Sequence, residues 1–226
     1  PNIANIRHEG ILGYYNSWIE KPSETMRWKR RTHDDYRDFG VILERNQNWD
    51  NYPPQSIFLY IQMEHCTETL AKWLKNHGER DLNHAKLRLK ELLSAVGYLH
   101  RKSITHGNLN PNYIFIDEIG RLKIDPTIRP TTKIPHPSYL APEQRSWHDR
   151  ATPKSDIFSL GLIFVEMSTV MPPFKISEIF LDYRIERPNP ILKNEPEKEH
   201  FVAWLTDIKP ANRPECEEIL KHDFLA

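Results

Sequence analysis

The side chains with the most chemistry to offer lie between residues 105 and 126. The stretch 105–115 reads THGNLNPNYIF and sets one imidazole, His106, among Asn108, Asn110 and Asn112, with Tyr113 behind them and Asp125 ten residues further along the chain, roughly. An amide has no useful basicity and no charge with which to steer a hydroxyl group, so Asn108 and Asn110 are unfit as general bases. A phenol such as Tyr113 is a poor ligand for a hard cation beside a carbonyl or carboxylate oxygen. Asp125 could approach a metal, but Pro126 fixes the backbone next to it. His8, His65, His100, His106 and His136 show no metal-type spacing, and neither do Cys66 and Cys216, the only cysteines. The expectation is a chain without a metal and without a cofactor.

The elements that hold these residues follow from periodicity. Residues 11–20, ILGYYNSWIE, are rich in aromatic and β-branched types and predict a strand; 56–64, SIFLYIQME, predict a second. Between them, 21–55 turns polar and aperiodic, as an insert does. A short helix is expected at 70–74. From Asn83, placed as its cap, Leu89, Leu92, Leu93, Val96 and Leu99 follow helical spacing, so one face should be buried. YIFID and RLKID read as a hairpin around Glu118-Ile119-Gly120. Residues 155–168, SDIFSLGLIFVEMS, are apolar nearly all round and must form an interior helix, closed by Pro172-Pro173. Further helices are expected at 197–208 and 214–221, and Trp18, Trp73 and Trp204 read as core. The architecture is α+β, a small strand-bearing lobe on a larger helical one.

Composition narrows the function classes. The 226 residues can bury a sizeable core. Lysine plus arginine equals aspartate plus glutamate at 31 each, so no global field draws the chain to nucleic acid or to an anionic membrane. The basic-aromatic run 26–33, MRWKRRTH, reads as a solvated loop tip, since Asp34, Asp35 and Asp38 follow at once. No apolar run approaches the length of a membrane span, and the cysteine usage fits a reducing compartment. The expected protein is soluble and cytoplasmic, and nucleic acid is not its expected partner.

Phrases at 61–66 (IQMEHC), 105–115 (THGNLNPNYIF), 139–144 (YLAPEQ), 154–161 (KSDIFSLG) and 211–225 (ANRPECEEILKHDFL) stand in one order and at consistent separations. Together they resemble the eukaryotic protein kinase domain. The YYNSW strand, the polar insert and IQMEHC resemble the kinases of the translation initiation factor 2 alpha subunit. The resemblance implies a remnant of the small kinase lobe at 1–64, with the insert at 21–55, and a kinase-like large lobe at 65–226. It implies structural roles for His106 in the catalytic loop, Glu143 paired with Arg213, and Asp156 on the catalytic-loop backbone.

The same resemblance implies a loss of chemistry. The family's loop carries His-Arg-Asp, a lysine and a magnesium-binding asparagine, followed later by Asp-Phe-Gly. This chain has His106-Gly107-Asn108, Asn110, Tyr113 and Ile124-Asp125-Pro126-Thr127. It contains neither a glycine-rich phosphate loop nor a Val-Ala-Ile-Lys strand, so the first strands of the small lobe are expected to be missing or to lie upstream of Pro1. The short, proline-bearing stretch between Asp125 and Ala141 resembles a fixed strap in which Thr127, Thr131 and Thr132 are open as phosphosites. A pseudokinase that binds an active initiation factor 2 kinase, or that competes for the factor's alpha subunit, is the leading expectation. An active Ser/Thr kinase with unusual metal use and its small lobe outside this chain is the alternative. In the family the substrate-gripping surface follows the buried helix, which implies a partner-binding role for Phe174, Ser177, Glu178, Phe180 and Asp182. Packing of Ile176, Ile179, Phe180 and Tyr183 on their own lobe accounts for the same segment equally well.

Overall fold

The computed structural model describes residues 6–20, 58–126, 137–144, 151–185, 187 and 190–226. The polar insert, the basic run at 26–33, the three threonines of the strap and His136 lie outside the described residues.

Two sheets form. Strands β1 (Tyr14–Glu20) and β2 (Phe58–Met63) make an antiparallel ribbon in which Trp18 faces Tyr60, their rings stacked at 5.3 Å. The expectation that Trp18 is core is corrected here: it is 43% exposed, because in a two-stranded ribbon the stacked Tyr60 ring shields one face of the indole and leaves it far from full burial. Strands β3 (Glu68–Thr69), β4 (Ile114–Ile116) and β5 (Leu122–Ile124) pair antiparallel in that order. The β4–β5 turn is built by Asp117, whose Oδ1 accepts the N–H groups of Ile119 and Arg121 at 3.1 and 2.9 Å, with Gly120 at φ +85°. A parallel bridge from Ile11 to Ile124 joins the stretch ahead of β1 to this hairpin.

Helix α1 (Leu70–Asn76) is capped by Thr69. Helix α2 (Leu82–Arg101) begins earlier than the sequence suggested. Its cap is Asp81, whose Oδ1 takes the N–H of His84 at 2.6 Å, and Asn83 lies inside the first turn. A carboxylate at the helix start also meets the positive end of the helix dipole. Its face of Ala85, Leu89, Leu92, Leu93, Val96 and Leu99 is buried.

Helix α3 (Pro153–Ser168) is the interior element, with every residue from Ser155 to Ser168 buried. It ends at Thr169, ahead of Pro172-Pro173, which instead open the next turn. Its last carbonyls are met by Lys198, a buried cation whose Nζ donates to Ser168 O at 3.2 Å and Thr169 Oγ1 at 3.0 Å and pairs with Glu195 at 2.7 Å. Helix α4 (Ile176–Arg184) packs on the turn Pro137–Tyr139, α5 (Pro196–Leu205) packs on α3, and α6 (Cys216–Leu220) packs on α2. Trp73 and Trp204 pack half-buried against the core, and Phe164, Phe201 and Phe224 form an aromatic cluster within it. Among the described residues no helix is long and apolar enough to cross a membrane.

Candidate functional site

The loop after α2 is shaped by a single carboxylate. Asp156, in the first turn of α3, accepts the N–H of His106 on Oδ2 at 2.9 Å and that of Gly107 on Oδ1 at 2.8 Å, and His100 Nε2 lies 2.9 Å from the same Oδ2. A carboxylate buried to 1% exposure needs this number of donors, and the loop backbone supplies two of them. Asp156 therefore sets the path of residues 106–107 from beneath.

His106 is fixed in one protonation state by its neighbours. Its Nε2 lies 3.0 Å from the carbonyl of Asp125 and must donate, while its Nδ1 accepts the N–H of Asn108 at 3.3 Å. Only the neutral ring does both. Burial pushes its pKa below 6.5, against the opposing pull of Asp156 and the Asp125 backbone. Gly107 sits at φ +74°, and a Cβ there would come within 2.8 Å of Ala151 Cβ. The backbone conformation favours glycine and the space admits nothing larger. Its carbonyl accepts Gln144 Nε2 at 2.9 Å.

The amides close on one another. Asn110 Nδ2 donates to both O and Oδ1 of Asn108 at 3.0 and 3.2 Å, and Asn110 Oδ1 accepts the backbone N–H and the Nδ2 of Asn112 at 3.0 and 3.2 Å. Asn110 thereby caps the 3-10 turn Pro111–Tyr113 that leads into β4. Tyr113 is half-buried, and its carbonyl takes the N–H of Asp125 at 3.0 Å. Asp125 is 2% exposed. The loop is thus a self-satisfied hydrogen-bonded unit between α2, α3 and β5. The donor set is a poor match for a magnesium ion: Asn108 and Asn110 are engaged with each other, Tyr113 offers a phenol, and the carboxylate of Asp125 is buried at 2% exposure. Among the described residues no cluster of three His, Cys, Asp or Glu side chains is placed to hold a metal.

Glu143 and Arg213 meet in a bidentate pair, Nη1 to Oε1 at 2.7 Å and Nη2 to Oε2 at 2.9 Å, and Arg213 lies 4.9 Å from the centre of the Phe158 ring. Burial alone would raise the Glu143 carboxyl, but the hydrogen bonds and charge of Arg213, with Ser155 Oγ at 2.9 Å, hold it below its ordinary value. The pair fastens residues 141–144 to the end of the chain.

The partner-binding candidates separate into two groups. Phe174 is 83% exposed, and Ser177 and Glu178 face solvent, with Ser177 Oγ also 2.9 Å from Ser138 Oγ. Asp182 is half-buried and pairs with Arg187 at 3.4 Å. Phe180 is corrected: at 0% exposure it is core, its ring edge-on to Tyr139 at 5.2 Å, and so offers no contact surface. Ile176, Ile179 and Tyr183 also pack inward. A short amphipathic helix leaves one stripe for its own lobe and one for solvent, and residue types alone do not say which stripe Phe180 joins. The outward stripe adds Leu181.

Sequence reasoning missed His100, Gln144 and Ser155, all of which brace the site. Gln144 and Ser155 lie inside quoted phrases beside residues singled out there. His100 gives no signal at all, since its partner is distant in the chain.

The pattern of the protein kinase domain matches residues 48–225. The chain is 31% identical over 217 residues to the eukaryotic translation initiation factor 2-alpha kinase pek-1 of Caenorhabditis elegans, covering 81% of this chain and 19% of that one. It is 24% identical over 261 residues to the eIF-2-alpha kinase GCN2 of Arabidopsis thaliana, covering 98% and 20%. It is 27% identical over 235 residues to the interferon-induced, double-stranded RNA-activated protein kinase of Rattus norvegicus, covering 97% and 42%. The chain thus spans about a fifth of the first two relatives and under half of the third. Interior α3, the Asp156-braced loop and the Glu143–Arg213 pair sit within the matched region, and the chain belongs to the protein kinase family, with initiation factor 2-alpha kinases among its relatives.

Proposed function

We propose that this chain is a pseudokinase module, a kinase architecture that acts by binding rather than by phosphoryl transfer. The observation that carries the reading is the state of the loop. Asn108 stands where a catalytic carboxylate would, and its side-chain oxygen is occupied by Asn110. An amide offers neither the basicity nor the charge to draw a hydroxyl group forward. Tyr113 and the buried Asp125 before Pro126 support the same reading for the metal sites. The partner is an initiation factor 2-alpha kinase or the alpha subunit it modifies, and the expected effect is inhibition of that phosphorylation, a role in translational control. The likeness to pek-1 and GCN2, both named initiation factor 2-alpha kinases, supports this choice of pathway, and the exposed Phe174, Ser177, Glu178 and Leu181 supply a surface for it.

A two-part experiment tests the proposal. Labelled-phosphate transfer is measured on the full-length parent protein beside its Asp125→Ala variant; no transfer is expected, and sustained Asp125-dependent transfer would establish the active kinase instead. The protein is then titrated into a reaction of an active initiation factor 2-alpha kinase at low and high substrate. Inhibition relieved by excess alpha subunit assigns the Phe174 surface to substrate competition, whereas inhibition that persists assigns a kinase contact. No effect at large excess would remove the pathway from the proposal.

A further inference from the structure

Glu64 has contacts that the loop chemistry does not use. It follows β2 directly, where the ribbon gives way to the segment leading into β3. Its carboxylate is split between two elements. Oε2 accepts the N–H of Gly13 at 3.0 Å, and Oε1 lies 2.8 Å from Nζ of Lys123. Its own N–H donates to the Gly13 carbonyl at 2.7 Å. Gly13 stands immediately ahead of β1, and Lys123 is the middle residue of β5. One side chain therefore touches the roots of both ribbon strands and the hairpin that belongs to the helical body.

The Lys123 ammonium is what makes this contact strong. Its side chain is 5% exposed, and a buried cation must keep a counter-charge. Asp117 is the other acid in reach, but it is farther, at 4.0 Å, and is already engaged by Arg121 Nε at 3.0 Å and by the N–H groups of Ile119 and Arg121. Glu64 is thus the direct partner, and its loss leaves the buried Lys123 ammonium with the more distant Asp117 alone. The chain ahead of Gly13 is anchored to the body separately, by buried Ile6 and Ile11 and by the backbone bonds Leu12 N to Ile124 O and Ile124 N to Gly10 O, both 2.9 Å, so among the described residues Glu64 and Gly13 stand at the point where that anchoring ends and the ribbon begins. A two-stranded ribbon is marginal in water unless something larger holds it.

We propose that Lys123, Glu64 and Gly13 form a clasp that locks the β1–β2 ribbon to the helical body, so that breaking one ion pair frees the ribbon as a unit. The clasp stands on contacts alone and goes beyond the pseudokinase reading, whose failure would leave it untouched.

Amide hydrogen exchange on the full chain and its Lys123→Met variant tests it. Peptides from 14–20 and 58–63 should exchange at least about tenfold faster in the variant, while 153–168 keeps its protection, because local opening and global unfolding are separable. Unchanged exchange of the ribbon peptides would overturn the clasp. Should Lys123→Met accelerate 153–168 as well, the double variant Lys123→Met, Glu64→Leu leaves no buried charge unpaired and decides the matter. A fast ribbon on a protected α3 in that protein supports the clasp, and a protected ribbon refutes it.

Discussion

Gly107 shows how much one residue can decide. Its φ of +74° and the 2.8 Å approach that a Cβ would make to Ala151 leave no room for a side chain. Gly107→Ala should cost about 1–3 kcal/mol, read as a lower denaturant midpoint. Gly107→Arg, which would restore the family's loop phrase, should cost at least as much. His106 carries a pH signature of known sign. Burial lowers its folded pKa below 6.5, so below that pH the unfolded chain takes up a proton that the folded chain refuses. Stability contributed by the neutral ring is complete above 6.5 and is lost as pH falls from there towards the folded value. Thermal melts of the protein and His106→Phe across this range should show a shallower acid decline in the variant. Glu143 and Arg213 behave oppositely in charge but alike in dependence. Arg213→Met leaves the Glu143 carboxylate with only Ser155 Oγ and a backbone N–H, and an unfolding free energy lowered by about 3–5 kcal/mol is expected, read from the denaturant midpoint.

At the level of elements, close packing around α3 governs what the chain tolerates. At Gly161 an added Cβ would lie 2.7 Å from Thr206 Cγ2 and 3.1 Å from Leu205 Cβ, so α5 approaches α3 there as nearly as backbones allow. Gly161→Ala should be destabilising by about 1–3 kcal/mol despite the better helix propensity of alanine, because overpacking at a rigid crossing outweighs a gain of under about 1 kcal/mol. Urea unfolding measures it directly. Helix α4 divides cleanly between its two faces. Phe180→Ala should cost about 3–5 kcal/mol through the cavity it opens. Phe174→Ala should leave the melting temperature unchanged and weaken the inhibition proposed above; a loss of stability at Phe174 instead would show that this side chain packs in solution.

For the whole molecule, the features that keep a kinase lobe folded are distinct from those that run its chemistry. The Asp156 bonds to the loop, the Glu143–Arg213 pair and the interior helix involve backbone donors, one guanidinium and apolar contact, none of which uses the side chain of Asn108 or Tyr113. That separation is the physical condition under which such a protein can lose catalysis without losing its fold. Magnesium-ATP is accordingly expected to give no rise in melting temperature of the full-length parent, and a saturable rise would count against the pseudokinase proposal.

The sequence by itself determined the α+β class, the interior helix at 155–168 and the order of the kinase-like phrases, since long apolar periodicity and ordered motifs are local properties of the chain. It also named Asn108 and Asn110, on which the proposed loss of chemistry rests, because residue type alone decides basicity. Only the tertiary structure decided that Phe180 is core while Phe174 is surface, that Asp81 rather than Asn83 opens α2, and that Trp18 is exposed. It alone brought Lys123 of β5 to Glu64 just beyond β2, residues with no shared motif. Burial and counter-charge are set by what folds against a residue, and that neighbour is not written beside it in the chain.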